Sequence, residues 1–135
     1  MNEQSGLSLF IFFAIVVFFI MFIYFVPISL FVTAYFSGVK LNIGKDLIGM
    51  RLRKVPPELI VRNLITLHKA GLTIEQEKLE AHYLQGGNVN KVVNAVIAAN
   101  KLNFILTFEQ AAAFDLAGRD VLEIVKRYSN NLDIK

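Results

Sequence analysis

The sequence contains no cysteine, only three prolines, and not one charged side chain between Glu3 and Lys40. The first absence rules out a disulfide scaffold, thiolate metal sites and a thiol nucleophile. The second leaves long stretches free to be helical, broken only at Pro27 and at Pro56-Pro57. The third excludes both intrinsic disorder and an ordinary soluble globule with its apolar residues spread evenly. Charged residues are 19% of the chain and apolar residues 55%, against about 25% and about 45–50% in typical domains.

Charge is unevenly placed. Residues 1–39 carry −1, residues 40–54 carry +4, and residues 55–135 balance nine basic against nine acidic side chains. The excess of +3 is therefore a basic collar beside an apolar segment, joined to a neutral domain. A duplex-binding domain would carry its positive charge on the folded part, so nucleic acid is not the expected partner.

Nine of the twelve phenylalanines fall in Phe10–Phe36. A bilayer core of roughly 30 Å is crossed by about 20 helical residues, a length that Leu7–Val26 supplies. That stretch holds sixteen Leu, Ile, Val or Phe, which favours insertion by roughly 5–10 kcal/mol. The expected membrane-inserted positions are Leu7, Phe10, Phe13, Val17, Ile20, Tyr24, Pro27, Phe31 and Phe36. Pro27 leaves two topologies open. Either the helix kinks there and Ile28–Phe36 continues as an exit, or the chain turns and returns as an intramembrane hairpin. Both put the C-terminal part on the side of the Lys/Arg cluster, which is the cytoplasm. A cleaved signal peptide ending at Val32-Thr33-Ala34 is the competing account. The missing positive n-region and the length of the apolar run argue against it.

Lys40, Lys45, Arg51, Arg53 and Lys54 form the collar. Interleaved with Leu47, Ile48, Met50 and Leu52, they suit a segment lying in the interface with its cations on lipid headgroups. Each cation there is worth about 1 kcal/mol near an anionic surface; the alternative is a topological stop signal, which is sufficient by itself. The expected organisation is thus a membrane anchor over residues 1–39, a basic juxtamembrane collar over 40–55 and a cytoplasmic helical domain over 56–135.

The last part reads as helical hairpins. Pro57 suits a first helical turn and Gly71 a stop. Thr73 and Gln76 have capping-box spacing, Gly86-Gly87 ends the helix that follows, and Asn88 caps another with Val89, Val92, Val93 and Val96 on one face. Leu72–Gln76 then recurs as Leu106–Gln110 at an offset of 34, whereas Leu84, Gly86, Asn88, Val89 and Val93 recur as Leu116, Gly118, Asp120, Val121 and Val125 at an offset of 32. A helical hairpin repeated at this length is a helical-repeat signature, though two copies fall short of a solenoid, and chance similarity of capping signals is the alternative. Strand character is confined to Asn103–Leu106. The fold class is mainly α.

Nothing in the pattern points to catalysis, a metal or a cofactor. His68 and His82 lack carboxylates at ligand spacing. Glu75, Glu77 and Glu80 read as a solvated helix face, and Asp120 as an N-cap. Gly86-Gly87-Asn88 lacks the Lys-Ser/Thr of a phosphate loop.

Several runs carry a family resemblance. They are GMRLRKV at Gly49–Val55, HKAGL at His68–Leu72, LEAHYLQGGNVNKVVNAVIAANK at Leu79–Lys101, LTFEQAAAFDLAGRDVLEIV at Leu106–Val125, and the apolar segment centred on Val26-Pro27. Together they resemble the amino-terminal half of the bacterial flotillin-like proteins of the FloA type. The resemblance implies an integral cell-membrane protein whose homo-oligomers gather in lipid microdomains. It also implies a scaffold for other membrane proteins, with effects on fluidity and envelope stress. In that family a β-containing band-type domain and a coiled coil follow; here YSNNLDIK comes directly after Arg127. A shortened member, a truncated product or one piece of a split protein is expected. The alternative function is a membrane-tethered adaptor that recruits a cytoplasmic protein.

Overall fold

The computed structural model describes residues 3–25, 28–40 and 43–132. Pro27 lies outside the described residues, and with it the choice between a kink and a hairpin tip. Helix α1 spans Glu3–Phe25 and α2 spans Ile28–Phe36. A π-helical turn, Ile43–Leu47, runs into the short α3, Ile48–Leu52. Then come α4 (Pro57–Lys69), α5 (Gln76–Leu84), α6 (Val89–Lys101), α7 (Phe108–Leu116) and α8 (Val121–Leu132). No strand occurs among the described residues. Asn103, where strand character was expected, has a left-handed backbone at φ +53° and turns the chain out of α6.

The boundaries obey one period. Pro57, Val89 and Val121 begin the long helices and Gln76 and Phe108 the short ones, each 32 residues after its counterpart. Every helix from α2 to α7 ends alike. Gly38, Lys54, Gly71, Gly86, Asn103 and Gly118 all have positive φ. In each case the next residue's N–H donates back five residues, as from Val39 to Ala34, Leu72 to Leu67 and Phe104 to Ala99. These are Schellman caps, which satisfy the last carbonyls of a helix and reverse the chain in few residues.

The period fixes what is buried. Val61, Val93 and Val125 are buried 32 residues apart, as are Leu47, Leu79 and Ala111. Leu72 with Phe104, and Ile74 with Leu106, wedge against the core from equivalent loops. The long helices pack in series, α2 on α4, α4 on α6 and α6 on α8. The short helices lie alongside and are tied by ion pairs, Arg53 to Glu80 and Lys78 to Glu109, both at 2.6 Å. The result is a two-layer helical stack.

Three expectations change. The offset of 34 is not structural: Leu72 is equivalent to Phe104, so Thr73 falls ahead of the N-cap of α5. That cap is Glu75, without a side-chain hydrogen bond. Thr107 and Gln110 do form a complete capping box on α7, while Asn88 caps α6 and Asp120 caps α8. Glu80 is not on a solvated face. It is 5% exposed and accepts from Arg53 on one oxygen and from Gln76 on the other. Finally, α2 and the collar belong to the stack, since Ala34, Leu47 and Met50 are fully buried and Leu30 and Phe31 pack on the core. A cleavage after Ala34 would cut through a packed helix.

Candidate functional site: an apolar anchor and its basic clasp

The chemistry of this chain lies in a surface. Gln4–Phe25 is 22 residues long with none of it buried. At about 1.5 Å per residue it covers the hydrocarbon core of a bilayer. Every large apolar side chain of α1 is at least 37% exposed, so the helix is apolar all round. Leu7, Phe10, Phe13, Val17, Ile20 and Tyr24 lie on it in the open. Within the helix the Ser8 hydroxyl donates to the carbonyl of Ser5.

The second element divides its faces. Leu30, Phe31 and Ala34 of α2 face the stack, while Ile28, Val32, Tyr35 and Phe36 are exposed on the other side. Phe36 thus joins the exposed apolar surface, and Phe31 does not. Gly38 closes the helix at φ +80°. A Cβ there would come within 2.8 Å of His68 Nε2, so the loop passes close to this side chain of α4.

The collar cations do not act alike. Arg51 Nη1 donates to the carbonyls of Phe25 at 2.7 Å and Tyr24 at 3.3 Å, and its guanidinium lies 5.5 Å from the Phe25 ring centroid. It therefore clasps the carbonyl end of α1, where unpaired acceptors and the helix dipole favour a cation. Arg53 is turned to Glu80 instead of outward. Lys40, Lys45 and Lys54 are exposed; Lys40 and Lys54 have no side-chain partner among the described residues. Sequence reasoning missed the clasp because Arg51 and Phe25 are 26 positions apart.

A second polar centre joins the short helices. His82 Nε2 lies 2.9 Å from Asp115 Oδ2, and that oxygen also accepts the Asn88 N–H at 2.6 Å. The His82 ring is 3% exposed and meets Phe108 edge-on at 6.0 Å. This is a crosslink between α5, α7 and the turn before α6. Further out, the exposed pair Lys78–Glu109 hydrogen-bonds, which raises the lysine's proton affinity and lowers that of the carboxylate. Among the described residues no group of three or more His, Asp or Glu could hold a metal ion.

An all-round apolar helix clasped to a stack of helical repeats defines a membrane protein with a helical-repeat domain. The chain matches the family model of the flotillin-like protein FloA over residues 8–133. A flotillin-like protein FloA from Dictyoglomus turgidum is 55% identical over 131 residues, 96% of this chain and 39% of that relative. Those of Staphylococcus haemolyticus and Staphylococcus aureus are 52% and 53% identical over 105 residues, 78% of this chain and 32% of each relative. The chain belongs to the FloA family of flotillin-like proteins. It spans between 32% and 39% of the length of these relatives. No solved structure matches it.

Proposed function

We propose that the chain is the membrane-bound part of a flotillin-like scaffold, structural and not catalytic, that gathers with copies of itself and other membrane proteins in lipid microdomains of a bacterial cell membrane. The observation that carries this reading is the continuous apolar surface of α1 and the outer face of α2, set against a neutral stack. α1 crosses the bilayer, α2 lies at its boundary, and residues 56–135 are cytoplasmic because the only cluster of cations follows the apolar segment. Microdomain association would alter local fluidity through the lipids gathered around the aromatic-rich anchor.

Self-association is supported by a second feature. Leu52, Leu84 and Leu116 end the three short helices at the 32-residue period and are 72%, 56% and 44% exposed. Aligned apolar side chains of this kind suit contact between neighbouring copies.

Fractionation of cells expressing the full chain tests the reading, together with imaging of a tagged form. Recovery in the membrane pellet, in detergent-resistant fractions and in discrete foci is expected. A uniform membrane distribution of monomers would refute the scaffold, and recovery in the supernatant would refute the anchor. With no native cysteine, a cysteine at Gln4 reports topology. It should react with an impermeant thiol reagent in intact cells, whereas protection there with reactivity only in lysed cells would place both ends of the anchor inside.

A further inference from the structure

We propose that the notch beside the clasp binds the phosphate of one anionic phospholipid, with Lys54 as its charged contact. This deepens the membrane-anchored reading above and rests on it. The cavity is about 430 Å³, and its lining includes Leu30, Arg51, Lys54, Val55, Glu58 and Tyr83.

Position is the first argument. Arg51, on the rim, holds the last carbonyls of α1, so the cavity opens where the membrane helix meets the stack, at headgroup depth. Backbone conformation is the second. Lys54 has φ +60°, and at the equivalent positions one and two repeats on stand Gly86 and Gly118 at +84° and +76°. A left-handed backbone disfavours any residue with a Cβ. The other exception in the set, Asn103, is a residue type that tolerates it; lysine is not. A long cation held in a glycine position marks a site where the side chain is needed.

Charge is the third. Glu58, the acid in the lining, is bound to Arg62 at 2.6 Å, and Arg53 is bound to Glu80. Lys54 and the Arg51 guanidinium therefore leave the notch positive. The apolar walls, Leu30 and Val55, suit the glycerol and first acyl carbons of a lipid and would be idle beside a free phosphate ion.

The test uses the full chain in neutral detergent and native mass spectrometry with phosphatidylglycerol, phosphatidylcholine or inorganic phosphate. One phosphatidylglycerol per chain is expected in preference to phosphatidylcholine. Lys54→Gly removes the charge and relaxes the backbone, so it should fold with an equal or higher thermal midpoint yet bind phosphatidylglycerol about 5-fold more weakly. Lys126→Gln, at the far end of the stack, should bind as the unaltered chain does. Equal binding by Lys54→Gly, no preference over phosphatidylcholine, or displacement of the lipid by an equal concentration of inorganic phosphate would each overturn the proposal. A chain that stays in the membrane pellet while showing no lipid preference sinks this site and leaves the anchor standing. A chain found in the supernatant sinks the anchor itself.

Discussion

Replacing Gly87 by alanine should break the crosslink of the short helices. A Cβ on this residue would overlap Cε1 and Nε2 of His82. The ring cannot retreat cheaply, because it is buried between Phe108 and Asp115. Three losses combine. Displacing the ring breaks its hydrogen bond to Asp115, worth about 1–1.5 kcal/mol, and the edge contact with Phe108, worth about 0.5–1.5 kcal/mol. Overpacking adds about 1–3 kcal/mol where the neighbours cannot relax. Partial relaxation trades these terms against each other, so we expect a net cost of about 2–4 kcal/mol. Urea unfolding of the full chain in neutral detergent, followed by far-ultraviolet circular dichroism, measures it. Gly71→Ala is the control: its Cβ meets nothing within 4 Å, so only the strain of φ +75° remains, about 1–2 kcal/mol. The decisive arm is His82→Ala, which empties the space. In that background Gly87→Ala should cost less than about 1 kcal/mol. The same loss with and without the ring would refute the steric argument, since the ring would then play no part in it.

Other consequences can be measured on the same protein. Arg51→Gln should release the end of α1 from the stack: spin labels at Tyr24→Cys and Leu84→Cys, placed in a chain without cysteine, should give a broader distance distribution, and an unchanged one would rule out the clasp. Thr107→Ala should cost about 1 kcal/mol through loss of the capping box, and Thr73→Ala less than about 0.5 kcal/mol. Equal costs in urea unfolding would restore the 34-residue register. Leu84→Asn with Leu116→Asn should lower the oligomeric state in cross-linking and sedimentation while leaving the helical signal unchanged; unaltered oligomers would clear the leucine column of any role.

The anchor, the glycine stops and the caps at Asn88 and Asp120 were legible in the sequence because each is a local signal. An uncharged apolar run, a glycine after an amphipathic stretch and an Asn or Asp before a valine cluster announce themselves within a few residues. What stayed hidden depends on partners far along the chain. Glu80 looks solvated until Arg53, 27 positions earlier, is brought against it. Arg51 looks like one more collar cation until Phe25 is placed beneath it. The register was ambiguous for another reason. Leu-Thr-x-Glu-Gln recurs as letters, but the first copy is shifted by two residues against the helices. The helix starts settle which offset the backbone obeys, and Gly71 with Asn103 and Gly86 with Gly118, all of positive φ, repeat the same 32 positions. Even then one cap survives in one copy alone: Thr107 lies at the start of α7, and Thr73 does not reach α5.

The repeat also gives the stack a direction. Asn63 on α4 donates to Asn90 on α6 at 2.7 Å, so the side of each long helix bearing that position faces the next helix along. One repeat on, the equivalent residues of α6 are Ala95 and Ala99, both fully buried. On α8 they are Arg127 and Asn131, both exposed, and Arg127 pairs with Glu123 of its own helix. The outer face of α8 is thus polar, whereas the equivalent positions of α4 and α6 are buried. At the opposite end α2 presents Ile28, Val32, Tyr35 and Phe36, an apolar face that water would not tolerate as readily. On the membrane-bound reading proposed above, the apolar face of α2 lies toward hydrocarbon and the long helices run away from the bilayer in the order α2, α4, α6, α8. The leucines at 52, 84 and 116 then run up the side of the stack, where neighbouring copies anchored in one membrane would meet. That reading rests on the apolar outer face of α2, and reversing the chemistry of that face is the sharpest way to disturb it. Tyr35→Lys with Phe36→Glu should loosen the stack from the membrane surface without unfolding it, read as faster hydrogen exchange in residues 28–40 with unchanged exchange in α6. Equal protection of residues 28–40 in the double variant and the parent would mean that the outer face of α2 never touched lipid.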